Sequence, residues 1–186
     1  MEEIGAVEFV RRESDRELLR RRAEQLARKV ADAGEHHGSH ATDYVKFTMG
    51  RDSYGIETVH IKEVLEPEDI VPVPCTPDYL VGVVSVRGHI WAVIDLCRFW
   101  GKGAAVSGSR AKIVLLAGGE NEFALVVDEV SDVVPVYDYE QKAMAEGHDA
   151  VARYASAVTE DRMILLRGRS LLEESAFVIN EFVGNI

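Results

Sequence analysis

The chain has 186 residues, 47% of them apolar, enough for one large domain or two small ones packed together. Its 32 acidic residues outweigh 21 basic ones; the net charge of −11 disfavours nucleic acid and anionic membrane surfaces as partners, because phosphate binding needs clustered Lys and Arg. No run of about 18 apolar residues is present to cross a bilayer, and the N-terminal MEEIGAVEFVRRESDRE has no apolar stretch of signal-peptide length, so a cytoplasmic protein is expected.

Residues Arg11 to Ala33 read as a helix built from Arg, Glu, Leu and Ala. Ser14 and Glu17 form a capping box, and Leu19, Ala23, Leu26 and Val30 make one narrow apolar stripe. So thin a stripe suits either a frayed, solvated arm or a docking helix. Gly34–Thr42, GEHHGSHAT, reads as a linker, and its histidines His36, His37 and His40 as linker residues in preference to metal ligands. The expected organisation is an arm and linker over residues 1–42, followed by a β domain over 43–186.

From Asp43 the period becomes two. Val45, Phe47 and Met49 share one face, Gly50–Ser53 is a turn, and Tyr54-Gly55-Ile56 starts the return strand of a hairpin. Thr58–Leu65 has a mixed period that fits a strand or a short helix. Pro67, Pro72, Pro74 and Pro77 punctuate an extended connection. Thr76-Pro77 reads as an N-cap and first helical position, giving one helical turn over Asp78–Leu80. Val81–Val86 and His89–Leu96 are near-continuously apolar strands, which implies burial on both faces. They meet at Arg87-Gly88, where Arg87 is the only charged side chain between Asp78 and Asp95. A guanidinium left alone at so apolar a hairpin tip points to binding.

Further on, Lys112–Ala117 and Phe123–Asp128 form a hairpin, Val130–Val136 and Arg162–Leu166 are strands, and Ser170 caps a short helix starting at Leu171. FTMGRDSYGI (47–56) and LLAGGENEFAL (115–125) share a pattern of apolar strand, glycine turn and aromatic, and each precedes an aliphatic-acidic segment, IKEV and VDEV. Two similar β modules explain this most simply, although any two hairpins share some of that texture. Cys75 and Cys97 belong to no CxxC pair and read as two buried thiols. No nucleophile elbow, phosphate loop, dinucleotide fingerprint or zinc motif is present. A Ser85, His89, Asp95 triad can be drawn only on paper, since Ser85 and His89 flank a tight turn. Catalysis is disfavoured, and no cofactor or metal is expected.

The motifs YVKFTMGRDSYGIET, IKEV, TPDYLVGVVSVRG with AVIDL, FALVVDEVSDVV and DRMILLRGRSLLEE, in that order from Tyr44 to Leu172, resemble the CheW family of bacterial chemotaxis coupling proteins. The resemblance implies a mainly β fold of two intertwined five-stranded SH3-like barrels with a groove between them, and no catalysis. It implies an adaptor that bridges the cytoplasmic hairpin tip of a chemoreceptor to the regulatory domain of a CheA-type histidine kinase. The adaptor would be a monomer when isolated, recruited to membrane-associated receptor arrays without inserting into the membrane. The receptor-binding residues carried over are Ile61, Glu63, Val86 and Arg87. Kinase contacts at the barrel ends are not assigned to residues. The sequence departs from the family at Ser85, Trp91, Ala92 and Arg167, positions that bear on partner choice. A CheW-like scaffold of another receptor–kinase pathway (surface or pilus motility) is the alternative within the fold, and a small-ligand-binding β-barrel the alternative outside it.

Overall fold

The computed structural model describes residues 40–66, 69–104, 111–119, 121–143 and 150–177. The helix expected over 11–33, and His36 and His37, lie outside the described residues. From Ala41 onward the chain forms its own compact unit. Its strands are β1 (Ala41–Met49), β2 (Asp52–Glu57), β3 (Ile61–Leu65), β4 (Leu80–Val86), β5 (His89–Ile94), β6 (Lys112–Gly118), β7 (Asn121–Val127), β8 (Glu129–Tyr137), β9 (Lys142–Ala143), β10 (Ala155–Val158) and β11 (Met163–Leu166). Two short helices, α1 (Leu96–Phe99) and α2 (Gly168–Leu172), follow β5 and β11.

The strands form two mixed sheets, ordered β8-β1-β2-β11-β10-β9 and β3-β6-β7-β5-β4. The pairing explains how the barrels intertwine. The hairpin β1–β2 sends its next strand, β3, to pair antiparallel with β6 of the other sheet. The hairpin β6–β7 sends β8 back to pair antiparallel with β1. In each barrel a second hairpin then joins through a parallel contact, β5 to β7 in one and β11 to β2 in the other. Each barrel thus combines one half's first hairpin with three strands of the other half. The two-residue β9 is an addition to the five strands expected of the first barrel.

This exchange substantiates the internal repeat and corrects its register. β1–β2 and β6–β7 occupy equivalent places, with Phe47 opposite Tyr54 and Leu116 opposite Phe123. Phe47 faces Val130, whereas Leu116 faces Ile61. The structural counterpart of Ile61-Lys62-Glu63-Val64 is therefore Val130-Ser131-Asp132-Val133, three residues beyond the VDEV segment. Both strands carry a bulge at the same place, after Ile61 and after Val130.

The bulge decides where side chains go. In a regular strand Ile61 and Leu65 would share a face. Here Ile61 packs against a core shared by the two sheets, built from Phe47, Tyr54, Ile56, Val114, Leu116, Phe123 and Leu125 among others. Leu65 instead packs into the second barrel with Val84, Trp91, Val93, Ile113, Leu115, Ala124 and Val126. Tyr44, Val136, Ala157, Met163 and Leu165 fill the first barrel. Strands β5, β6 and β7 lie between two apolar clusters, which is why their sequences run apolar without alternation.

Several local expectations are corrected. β1 begins at Ala41, inside the expected linker, because Ala41 and Thr42 pair with Tyr137 and Val136. The Thr76 hydroxyl donates to the Val73 carbonyl (2.8 Å) in place of capping a helix, and Pro77–Leu80 is a single turn. Leu96 belongs to α1, because Asp95 ends β5 and its side chain accepts from the Arg98 N–H. α2 starts at Gly168, not after Ser170; Arg167 at its N-cap offers no side-chain acceptor, and the Gly168 N–H donates to Glu57 Oε2 (3.0 Å). Cys75 is exposed, in a turn with φ +62°, while Cys97 is buried.

Candidate functional site

β3 and β4 are the two end strands of the second sheet, and a side-chain ion pair from Glu63 on β3 to Arg87 just beyond β4 links them. Beyond Val86 the chain turns back in two residues, Arg87 (φ +51°) and Gly88 (φ +82°). Two successive left-handed residues make the hairpin turn whose twist matches the flanking strands. Arg87 is therefore held at the tip, 78% exposed, and its Nη2 donates to Glu63 Oε1 at 2.7 Å. The β3 bulge turns Glu63, like Leu65, to the face that meets this tip. Glu63 is 28% exposed.

Of the four residues named from the sequence, the structure brings Glu63 and Arg87 into direct contact. Val86 adjoins Arg87 and rests half-buried on the second barrel's core. Ile61 lies two residues from Glu63 but rests half-buried on the shared core. Both aliphatics thus offer an edge, with the rest of the side chain buried. Around them stand exposed apolar side chains that sequence reasoning did not single out, among them Val59, Val64 and Ile90. Ile90 is opposite Ser85 on the outer face of β4–β5.

Sequence reasoning also missed a second set of contacts beside the ion-pair residues in the chain. Trp91, 3% exposed, packs into the second barrel, and Lys62 lies over its ring with Nζ 5.0 Å from the centroid. His89 packs edge-on to the same ring at 5.3 Å and pairs through Nε2 with Glu122 on β7. Glu122 also lies 4.0 Å from Lys62 Nζ. The available signals were Trp91 as a departure from the family and its two-residue spacing from His89.

The arrangement suits recognition of a protein surface. The guanidinium fork uses one donor on Glu63 and presents the rest outward, where a carboxylate or helix C-terminal carbonyls fit it. Half-buried aliphatics beside fixed polar groups are what a docked helix requires. The residues of the paper triad are engaged separately: Asp95 with Arg98 and the α1 N-terminus, His89 with Glu122. Burial, aided by the negative charge of Asp95, pushes the Cys97 thiol up to about 11 and keeps it protonated. Among the described residues no group of His, Cys, Asp and Glu could hold a metal, and no helix is long and apolar enough to cross a membrane.

The family described as CheW-like domain matches residues 43–175. Chemotaxis protein CheW of Klebsiella aerogenes is 30% identical over 102 residues, covering 55% of this chain and 60% of its own. Protein FrzA of Myxococcus xanthus is 30% identical over 120 residues, covering 63% of this chain and 74% of its own. Chemotaxis protein CheW of Treponema pallidum is 28% identical, with 50% and 56% covered. The chain thus spans less than two thirds of the length of these two CheW relatives. The crystal structure of scaffolding protein TtCheW from Thermoanaerobacter tengcongensis aligns with a TM-score of 0.63 at 23% identity, covering 76% of this chain and 95% of that one; the likeness is one of fold.

Proposed function

The chain belongs to the CheW-like domain family, and we propose on that premise that it is a non-catalytic chemotaxis scaffold coupling a chemoreceptor's cytoplasmic hairpin tip to a CheA-type histidine kinase. Ile61, Glu63, Val86 and Arg87 form the receptor-binding edge. The observation that carries this reading is the 2.7 Å Arg87–Glu63 pair, which ties the exposed hairpin tip to β3 between two half-buried aliphatics. A helical hairpin laid along that edge covers Ile61 and Val86 and supplies acceptors to Arg87. The kinase partner is supported by the family and by relatives named for chemotaxis. The protein acts in the cytoplasm and is recruited to receptor arrays by these contacts.

A pull-down from the native cytosol tests the proposal. Recovery of a kinase together with receptor fragments supports it, and recovery of neither opposes it. A second reading, a CheW-like scaffold serving a separate receptor–kinase pathway such as surface or pilus motility, is kept beside it because one relative, protein FrzA, does not carry the chemotaxis name. The identity of the recovered receptor separates the two.

A further inference from the structure

The geometry points to Glu122 as a positioning residue for the receptor-binding edge, which it holds together through Lys62 and His89 over Trp91. The inference rests on the proposed receptor edge. That edge comes from two separate pieces of chain: β3 brings Ile61 and Glu63, while the β4–β5 tip brings Val86 and Arg87. In the sheet order β3-β6-β7-β5-β4 these pieces sit on opposite flanks of β7. Their spacing therefore depends on how far the sheet curls, which neighbouring-strand pairing alone does not fix.

Glu122, near the start of β7, reaches both flanks. One carboxylate oxygen pairs with His89 on β5, two residues from Arg87. The other lies 4.0 Å from Nζ of Lys62, which sits between Ile61 and Glu63 at the β3 bulge. The Trp91 indole is buried in the barrel; Lys62 lies over its ring and His89 meets it in a T-shaped contact. A cation over an aromatic face is attracted by the ring quadrupole, modestly at an exposed site such as Lys62. The four side chains form a clasp that links β3, β5 and β7 through residues next to or two away from Glu63 and Arg87. A smaller side chain in place of Trp91 would remove the ring that Lys62 and His89 both contact.

The clasp is not needed to hold the barrel together. Lys62, His89 and Glu122 are all substantially exposed, and polar contacts between exposed side chains add little to stability. Its role is to keep Arg87 and Glu63 in register for the incoming helices, so that the edge is formed before the partner arrives. Pre-formed contacts reduce the ordering that binding requires.

The test measures the affinity of the full chain for a purified cytoplasmic hairpin-tip fragment of a chemoreceptor from the same cell, alongside thermal melting. Glu122→Ala is expected to weaken binding about fivefold with the melting midpoint little changed, and to weaken it less than about twofold in an Arg87→Ala background, because a positioning residue acts through the group it positions. Lys62→Arg, which keeps the cation and its ring contact, is expected to bind as the natural chain does. Unaltered binding by Glu122→Ala while Arg87→Glu fails to bind overturns the clasp and leaves the site reading intact. Equal effects of Glu122→Ala in both backgrounds make Glu122 an independent contact and overturn its positioning role. Parallel loss of melting temperature and affinity reduces it to a structural residue. Normal binding by Arg87→Glu overturns the receptor edge itself, and the clasp with it.

Discussion

Replacing Arg87 by Glu separates a binding role from a structural one, because the structure predicts very different sizes for the two effects. The variant exchanges a 2.7 Å ion pair for two facing carboxylates, at a tip where residue 87 is 78% exposed. An exposed pair of this kind is worth about 0–1 kcal/mol, and the new repulsion in water is of similar size. The left-handed backbone at φ +51° is equally unfavourable for either side chain. Stability should therefore fall by about 1 kcal/mol, which for a domain of this size moves the melting midpoint by roughly 2–4 °C. Binding of the receptor tip should weaken by more than about 1.4 kcal/mol, tenfold, because the donor fork is lost and a like charge meets the partner's acceptors. Calorimetric titration and a melting curve on the same sample measure both. A double reversal, Glu63→Arg with Arg87→Glu, should restore melting but not binding. Losses of equal size in stability and affinity, or binding restored by the reversal, would refute the assignment of Arg87 to the partner surface.

Three further outcomes follow from the fold. Gly82 has φ +152° and a Cβ there would meet the Val71 carbonyl, whose carbon lies 2.8 Å away, so Gly82→Ala should cost about 2–3 kcal/mol and release the Val71–Val83 bridge; Gly88→Ala, with open space around it, should cost less, and melting curves rank the two. Tyr154 donates to buried Glu174, so Tyr154→Phe should cost roughly 1–3 kcal/mol at neutral pH. That hydrogen bond is the main cause holding the Glu174 carboxyl below its ordinary value of 4.5. Its contribution is present above the unfolded value and lost as pH falls through the folded one, so variant and natural chain should differ less at about pH 3 than at about pH 7 in denaturant melts. Deleting residues 1–40 should leave a single cooperative unfolding transition, since 41–186 is a compact unit; a broadened or absent transition would count against it.

Legibility in the sequence followed the range of the interactions. The alternation of Val45, Phe47 and Met49 shows β1 because strand burial repeats every two residues. Arg87-Gly88 shows its turn because a two-residue hairpin needs left-handed backbone. By contrast, Ala155–Val158 carries little strand signal: it is four residues long, three of them Ala or Ser, and its strand partners, β11 and β9, are found only in the fold. The expected strand runs one residue too far, to Leu96, because Leu96 continues the apolar run and only the Asp95 cap marks the start of α1. The exchange of β3 and β8 between barrels left just the faint repeat, read three residues out of register because the bulges in β3 and β8 are invisible to composition. For the candidate edge, family motifs led to Glu63 and Arg87. Nothing local to Glu122 announced that it would meet Lys62 and His89, because the curl of a five-stranded sheet brings them together.

The most direct test of the account is to mix the chain with a purified chemoreceptor tip and a CheA-type kinase and weigh the complexes by analytical ultracentrifugation. A coupling role predicts one species containing all three with the natural chain, and with Arg87→Glu a chain–kinase species from which the receptor tip is absent. Failure of the natural chain to join receptor and kinase, or loss of both partners together in Arg87→Glu, would contradict it.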